Sequence, residues 1–172
     1  ELLFGNKKER ERIGMEEILE ILEKNSKISA EEIAVMLNKS VEEVRAAIKK
    51  LEDDKVIVGY NTLINWDKIN EENVTALIEV KVTPQMGRGF DKVAERIYQY
   101  PQVRACYLMS GGFDLTVIIE GSSMKSVALF VAEKLAPLDS VQSTSTHFVL
   151  KRYKDKGVIF EKQNEDDREA LI

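Results

Sequence analysis

Three amphipathic helices are predicted in the first third of the chain. The first covers residues 15–25, where apolar residues recur at helical spacing among Glu and Lys: Ile18, Leu19, Ile21 and Leu22. The second and third each follow a Ser that precedes a Glu by three residues, Ser29 before Glu32 and Ser40 before Glu43. This is the spacing of a capping box, which starts a helix. Because a short turn separates these two helices, the segment has the pattern of a helix-turn-helix.

The turn and the residues after the third helix favour a winged form of this motif. Asn38 starts the turn, and Asn tolerates the left-handed conformation that such a turn needs. Residues 56–60 and 62–66 are rich in β-branched and aromatic residues on either side of a turn, which predicts the two short strands of a wing. A helical bundle that serves only for packing is the alternative. The winged domain is predicted to span residues 15–66, followed by a polar linker at residues 67–73.

The rest of the chain has the element order of a ferredoxin-like domain. Apolar runs predict four strands, at residues 74–82, 103–109, 115–120 and 141–150. Helical spacing predicts two helices, at residues 90–100 and at residues 123–135. This order is the split βαβ arrangement, an antiparallel sheet with both helices on one face, so the fold class is α+β. The other face of the sheet in residues 74–153 is left bare, which predicts dimerisation by packing of sheet on sheet.

A glycine-rich turn, Ser110 to Asp114, joins the second and third strands of that sheet. Gly111 and Gly112 tolerate positive φ and let other groups approach the backbone closely, although turn geometry alone also requires them. Asp114 comes directly before an apolar strand, where a charge needs a partner. Two uses fit this carboxylate: contact with a bound ligand, or a hydrogen bond that caps the turn.

The charge balance limits how this chain could bind nucleic acid. The 172 residues are 44% hydrophobic and 32% charged, with a formal net charge of -5 at pH 7. The molecule as a whole does not attract DNA, so binding requires a local patch. Residues 39–55, around the third helix, carry five basic and five acidic side chains and sum to zero. No apolar run approaches the roughly 20 residues of a membrane helix, so we expect no membrane association.

The two ends of the chain are left out of the predicted domains. Residues 1–14 lack the apolar core and cleavage site of a secretory signal, and we expect an N-terminal extension, natural or left from cloning, before a start at Met15. Residues 154–172 are predicted to be a solvated tail of mixed charge. The apolar insert at residues 158–160 could add a strand to a neighbouring subunit.

No arrangement of residues typical of catalysis or of a metal site is found. His147 is the single histidine and is expected to lie on a sheet face with one hydrogen bond. Cys106 is the single cysteine, which excludes an internal disulfide and a cysteine-based zinc cluster and fits a reducing cytoplasm. It is expected to pack as a small hydrophobe. Arg88, in the loop Met86 to Gly89, could bind an anion, but the loop lacks the ending of a phosphate loop. We therefore expect no cofactor, no metal and no enzyme activity.

The order of several short motifs resembles the Lrp/AsnC ("feast/famine") family of transcriptional regulators, from Met15 to about Tyr153. The motifs that carry the resemblance are Ile33-Ala34, Leu37-Asn38, Leu51 to Tyr60, Pro101-Gln102-Val103 and Ser110 to Asp114. The resemblance implies a winged helix that binds double-stranded DNA and a ferredoxin-like domain that forms homodimers. It further implies assembly into tetramers or octamers, and binding of an amino acid or related effector at subunit interfaces.

The resemblance also assigns roles to individual residues. The effector site would comprise the glycine-rich turn and part of the last strand: Ser110, Gly111, Gly112, Asp114, Ser145 and Thr146. Backbone N–H groups of the turn can receive a ligand carboxylate, and Asp114 can accept from an ammonium group. The DNA-binding residues would be basic or polar residues of the turn and the third helix: Lys39, Ser40, Arg45, Lys49 and Lys50. This third helix departs from the family pattern, because Glu42 and Glu43 occupy its first turn.

Three functions are compatible with the sequence. The first is a DNA-binding transcriptional regulator whose C-terminal domain oligomerises and binds a small effector, in the cytoplasm. The second is an effector-binding oligomer without sequence-specific DNA binding, which the zero local charge favours. The third is an enzyme similar to tetrapyrrole decarboxylases, and the single histidine argues against it.

Overall fold

The computed structural model describes residues 7–69, 73–83 and 89–160. They form two compact units that divide between Ile64 and Asn65. No helix in these ranges combines the length and the apolar character that crossing a bilayer requires. Arg88 lies outside the described residues, and the anion contact expected of it stays a prediction.

The N-terminal unit contains three helices: α1 (Lys7–Lys24), α2 (Ala30–Leu37) and α3 (Val41–Asp53). They pack around one apolar core, formed by Ile18, Leu22, Ile33, Ala34, Val44 and Leu51. Helix α1 begins eight residues before the predicted start at Met15, so residues 7–14 belong to this unit. The added turns consist almost entirely of Lys, Glu and Arg, which are good helix formers, and Arg12 lies 3.6 Å from Glu16 one turn later.

Both predicted capping boxes are present. At the start of α3 the Glu43 carboxylate accepts from the Ser40 backbone N–H at 2.9 Å, and the Ser40 hydroxyl oxygen accepts from the Glu43 N–H at 3.2 Å. The Ser29 and Glu32 pair repeats this geometry at the start of α2. Hydrogen bonds from Ser40 hold the pKa of Glu43 below its usual value. Asn38 takes the left-handed conformation expected of it, with φ 51°.

The two predicted wing strands are wrong for the described residues, because residues 54–65 contain no strand. The Leu51 carbonyl accepts from the N–H groups of Val56 and Ile57, so these residues complete the end of α3. Ile57 packs on the helical core, whereas the Val58 side chain is 87% exposed. A lone hairpin with so little buried surface is marginal, which explains why the β-branched run does not pair.

The C-terminal unit has the predicted ferredoxin-like topology. Its elements are β1 (Val74–Val82), α4 (Asp91–Tyr98), β2 (Val103–Leu108), β3 (Leu115–Gly121), α5 (Met124–Phe130) and β4 (Val141–Phe148). A π-helical turn, Val131–Leu135, prolongs α5. All neighbouring strands are antiparallel, in the order β2-β3-β1-β4. A short 3₁₀ helix, Trp66–Lys68, occupies the start of the predicted linker.

Alternation along β1 separates a buried face of the sheet from an open face. The buried face packs against α4 and α5 and includes Ala76, Ile78, Val80 and Val82. The alternate residues lie on the open face: Thr75, Leu77, Glu79 and Lys81. Cys106 packs against the buried core as expected, and burial raises the pKa of its thiol.

A small hairpin follows β4 where a solvated tail was predicted. It comprises β5 (Lys154–Asp155) and β6 (Val158–Ile159), which pair with each other. Arg152 links it to the main sheet, since its guanidinium lies 3.3 Å from the Thr75 hydroxyl and 5.4 Å from the centre of the Phe160 ring. Residues 154–159 are therefore ordered as a hairpin whose β6 side chains remain exposed.

Replacing Ser40 by Ala is expected to destabilise the N-terminal unit by about 1 kcal/mol, because the first turn of α3 loses its capping oxygen. Urea denaturation of the full chain, followed by far-ultraviolet circular dichroism, measures the change. Ser26→Ala, exposed in the turn between α1 and α2, is the matched control and is expected to change the free energy of unfolding by less than about 0.5 kcal/mol. Equal midpoints for both variants would contradict the role given to the capping box.

Candidate functional site

The glycine-rich turn lies against the end of the central strand β1. The Met109 N–H donates to the Asp114 carbonyl at 2.8 Å and closes the turn, and the Asp114 N–H donates to the Val80 carbonyl at 3.1 Å. Gly111 has φ 154°, a conformation that residues with a side chain rarely adopt. The turn is thus fixed at both ends while residues 110–112 remain exposed.

The Asp114 carboxylate is used within the chain. Its Oδ2 accepts from the backbone N–H of Val82 at 2.7 Å, in a half-buried position. The β1–β4 register shifts between Lys81 and Val82, so the carboxylate serves a backbone donor beside an irregularity in the ladder. The donor belongs to a neighbouring strand and not to the turn itself. Contact of Asp114 with a bound ligand stays a prediction.

The space around the two glycines is open. A Cβ atom added to Gly111 or to Gly112 would have no described atom within 4 Å beyond the immediate chain neighbours. Packing inside the chain therefore gives no reason for a missing side chain at residue 112, where φ is not positive. The backbone N–H groups of this turn are reachable by a ligand or by a second molecule.

Ser145 and Thr146 do not lie on one face of the sheet. Ser145 pairs with Glu79 and lies on the open face, whereas Thr146 pairs with Ile78 and lies on the helix-covered face. Side chains alternate along a strand, so two consecutive residues cannot line the same site from one face. Ser145 shares the open face but stands two strands away from β3, at the far side of β1.

A polar cluster on the open face joins Ser145, His147 and Glu79. The Ser145 Oγ lies 3.3 Å from His147 Nε2, and Glu79 Oε1 lies 3.4 Å from the same nitrogen. A catalytic triad needs the hydroxyl and the carboxylate on different ring nitrogens, so this cluster lacks that geometry. His147 is on a sheet face as expected. The sequence reasoning missed Glu79, which the period-two pattern of β1 could have placed on the same face.

A separate cavity of about 290 Å³ lies beside the other end of β3. Its lining includes Gln102, Glu120, Ser122, Ser126 and Phe130. None of the residues predicted for effector binding lines it. Among the described residues, no group of three or more His, Cys, Asp or Glu is arranged to hold a metal ion.

The exposed cations of α3 are paired with carboxylates of the same unit. Arg45 forms an ion pair with Glu31 of α2. Lys49 lies 3.0 Å from Asp53, and Lys50 lies 3.9 Å from Asp54, each one turn further along α3. All of these side chains are more than half exposed, so each pair can exchange for another partner at low cost.

The other two predicted DNA-binding residues are engaged locally. Ser40 caps α3 through the bonds described above. Lys39 extends toward α1, where a Cβ added to Gly14 would meet its Nζ at 2.1 Å. With Lys50 and Glu43 it lines a groove of about 470 Å³ between α1 and α3. Arg45 and Lys49 therefore remain as the cations on the outer face of α3.

Comparison with known proteins assigns the chain to a family. The profile described as winged helix-turn-helix DNA-binding matches residues 16–58, and that described as Lrp/AsnC ligand binding domain matches residues 75–159. The helix-turn-helix-type transcriptional regulator YugG of Bacillus subtilis strain 168 is 54% identical over 153 residues, which are 88% of this chain and 92% of YugG. The chain belongs to the Lrp/AsnC family. It is a DNA-binding transcriptional regulator with a ligand-binding domain, as the resemblance implied.

Solved structures of family regulators have the same fold. Escherichia coli AsnC is 18% identical with a TM-score of 0.64, and the match covers 81% of this chain and 92% of AsnC. A Neisseria meningitidis regulator, solved as a complex with L-Met, is 23% identical with a TM-score of 0.66, over 83% of this chain and 91% of that one. At these identities the likeness establishes the shared fold.

Asp114→Ala is expected to destabilise the chain by about 1–2 kcal/mol, because the backbone N–H of the buried Val82 loses its acceptor. Asp114→Asn keeps an oxygen at the same position and is expected to recover more than half of this loss. Urea denaturation of both variants, read by tryptophan fluorescence and circular dichroism, measures the difference. If both variants unfold at the wild-type midpoint, the Asp114–Val82 bond contributes nothing to stability.

Proposed function

We propose that this regulator of the Lrp/AsnC family binds an amino acid at the turn Ser110–Asp114 and that this binding changes how a homo-oligomer presents α3 to DNA. The single observation that carries the proposal is the open glycine backbone at Gly111 and Gly112. The turn that contains it is joined to β1 by the hydrogen bond from the Asp114 N–H to the Val80 carbonyl. Such a backbone offers N–H donors to a carboxylate without a side chain in the way. The regulator would act in the cytoplasm.

An amino acid fits this turn because it brings its own carboxylate and ammonium group. The carboxylate would accept from the N–H groups of residues 110–112, and the ammonium group would need an acceptor beside them. One carboxylate oxygen of Asp114 accepts from the Val82 N–H, so its role in ligand binding is to hold the turn in place. The Neisseria regulator with bound L-Met supports the ligand class.

A second copy of the chain would cover the open face of the sheet. This face carries Leu77, Ile118 and the 54% exposed Tyr107 beside the polar cluster around His147. An apolar strip of this kind favours packing against its own copy about a two-fold axis. Further association into tetramers or octamers is what the family resemblance implies. The turn Ser110–Asp114 lies at the edge of the sheet, so in such a dimer it would be close to a neighbouring subunit. That subunit could supply ligand-binding groups in place of Thr146, which lies on the other face of the sheet.

Linkage explains how the effector would regulate DNA binding. A ligand shifts an assembly only if it binds two arrangements of subunits with different affinity. A site shared between subunits meets that condition, because its geometry changes whenever the subunits move. The spacing between the α3 helices of an oligomer, and hence the DNA half-sites that they reach, then depends on the effector.

If α3 contacts DNA, the double variant Arg45→Ala, Lys49→Ala is expected to bind DNA about tenfold more weakly at low salt, since two phosphate contacts are lost. The DNA used is a set of genomic fragments from around the gene that encodes this regulator. Gel shifts at low and moderate salt measure this. Lys24→Ala and Lys27→Ala, near the turn after α1, make the same change in charge and serve as the control. Equal binding by both double variants would mean that α3 does not face DNA and would favour the oligomer without DNA recognition.

Effector binding at the turn predicts that Gly112→Ala reduces the thermal shift induced by the responsive amino acid by more than half, while leaving the unliganded melting temperature within about 2 °C. Gly59→Ala is the matched control, because an added Cβ there also meets nothing within 4 Å. A thermal-shift screen over the amino acids, combined with light scattering, reports binding and assembly together. A full response from Gly112→Ala would place the site elsewhere.

A further inference from the structure

Arg45 is the cation of α3 best placed to contact DNA, and it forms an ion pair with Glu31 of α2. Arg45 is the fifth residue of α3, and residues near the start of a recognition helix are those that approach the duplex. Glu31 lies in the first turn of α2, where the helix dipole favours a carboxylate. Its own backbone hydrogen bond, then the nearby Arg45 charge, hold the pKa of Glu31 below its usual value. Glu31 therefore stays charged at neutral pH.

This pair differs from the other two on the same helix. Lys49 pairs with Asp53 and Lys50 with Asp54 within one helix, at its C-terminal end. The Arg45–Glu31 pair joins two helices across 14 positions of sequence. It thus places the guanidinium beside a carboxylate of α2 before any DNA is present, and it offsets the charge that a phosphate would meet.

We propose that Glu31 is a built-in competitor of the DNA phosphate for Arg45, so that α3 binds DNA only by exchanging one carboxylate for one phosphate. The inference rests on the proposed DNA binding through α3. In the unbound chain the pair contributes no net charge, and docking Arg45 on a phosphate gives up its attraction to Glu31. The pair therefore lowers the affinity for DNA of any sequence, and contacts with the bases must supply the remaining affinity at a specific site.

Two features make the exchange feasible. The Arg45 and Glu31 side chains are 64% and 55% exposed, and ion pairs in water at this exposure are weak. Guanidinium groups also bind phosphate in the same two-point geometry as carboxylate. The chain can therefore release Arg45 to a phosphate without unfolding either helix.

Glu31→Gln is expected to bind a labelled random-sequence duplex about two- to fivefold more tightly than the wild type at low salt, because Arg45 is no longer neutralised. The slope of log affinity against log salt is expected to stay the same, because both chains form the same Arg45–phosphate contact in the complex. Fluorescence anisotropy over a salt series on the full chain measures both. Glu20→Gln, exposed on α1, makes the same change in net charge and is the control.

A double-mutant cycle separates competition for Arg45 from simple repulsion. Competition predicts that Glu31→Gln tightens binding more in the wild-type background than in Arg45→Ala. Equal gains in both backgrounds, or a gain no larger than that of Glu20→Gln, would overturn the inference and leave DNA binding itself in place. If the wild-type chain binds no DNA at low salt, the proposed function fails first, and this inference falls with it.

Discussion

The alternation of side chains along β1 is the constraint on which the C-terminal unit depends. Ala76, Ile78, Val80 and Val82 are almost completely buried against the helices, so a shift of one residue in register would turn four apolar side chains to the opposite face. The same alternation leaves Glu79 on the open face, where it meets His147. It also separates Ser145 from Thr146. The positions available to a ligand or a second subunit are therefore set by the core, before any functional residue is considered.

The N-terminal unit is organised by local charge as much as by its core. Two capping boxes use Glu32 and Glu43 to start α2 and α3, and three ion pairs neutralise the exposed cations that follow. This arrangement favours the two helices, because Glu32 and Glu43 cap them, and Glu31, Asp53 and Asp54 each face a cation. The same arrangement leaves little free positive charge for a polyanion. Folding and the proposed DNA contact of α3 thus make opposite demands on the carboxylates of α2 and α3.

Features that depend on near neighbours in sequence were predictable, and those that depend on tertiary register were not. The capping boxes follow from Ser and Glu three residues apart, and the sheet order follows from the strand and helix periods. The bond from Val82 to Asp114 spans 32 positions, and its donor exists because of a register shift that no periodicity shows. The Arg45–Glu31 pair likewise requires knowing how α2 and α3 cross.

The wing strands were predicted from a β-branched run near Val58, but such a run pairs only if it has surface to bury. In residues 54–65, Ile57 alone packs on the helical core. Ser145 and Thr146 were predicted for one effector site, and the period of two along β4 places them on opposite faces of the sheet. Their contact with an effector stays a prediction.

The contact between Arg152 and Thr75 has a consequence for the order of folding. It joins the segment after the last strand of the sheet to the start of the first strand, across 77 positions of sequence. The pairing of β1 with β4 closes a loop of nearly the same length, since Ala76 pairs with Phe148. The Arg152 contact can form only once that pairing is in register, so the hairpin of β5 and β6 is expected to dock after the four strands. A chain cut short after Phe148 would keep every strand of the sheet and lose the Arg152–Thr75 contact.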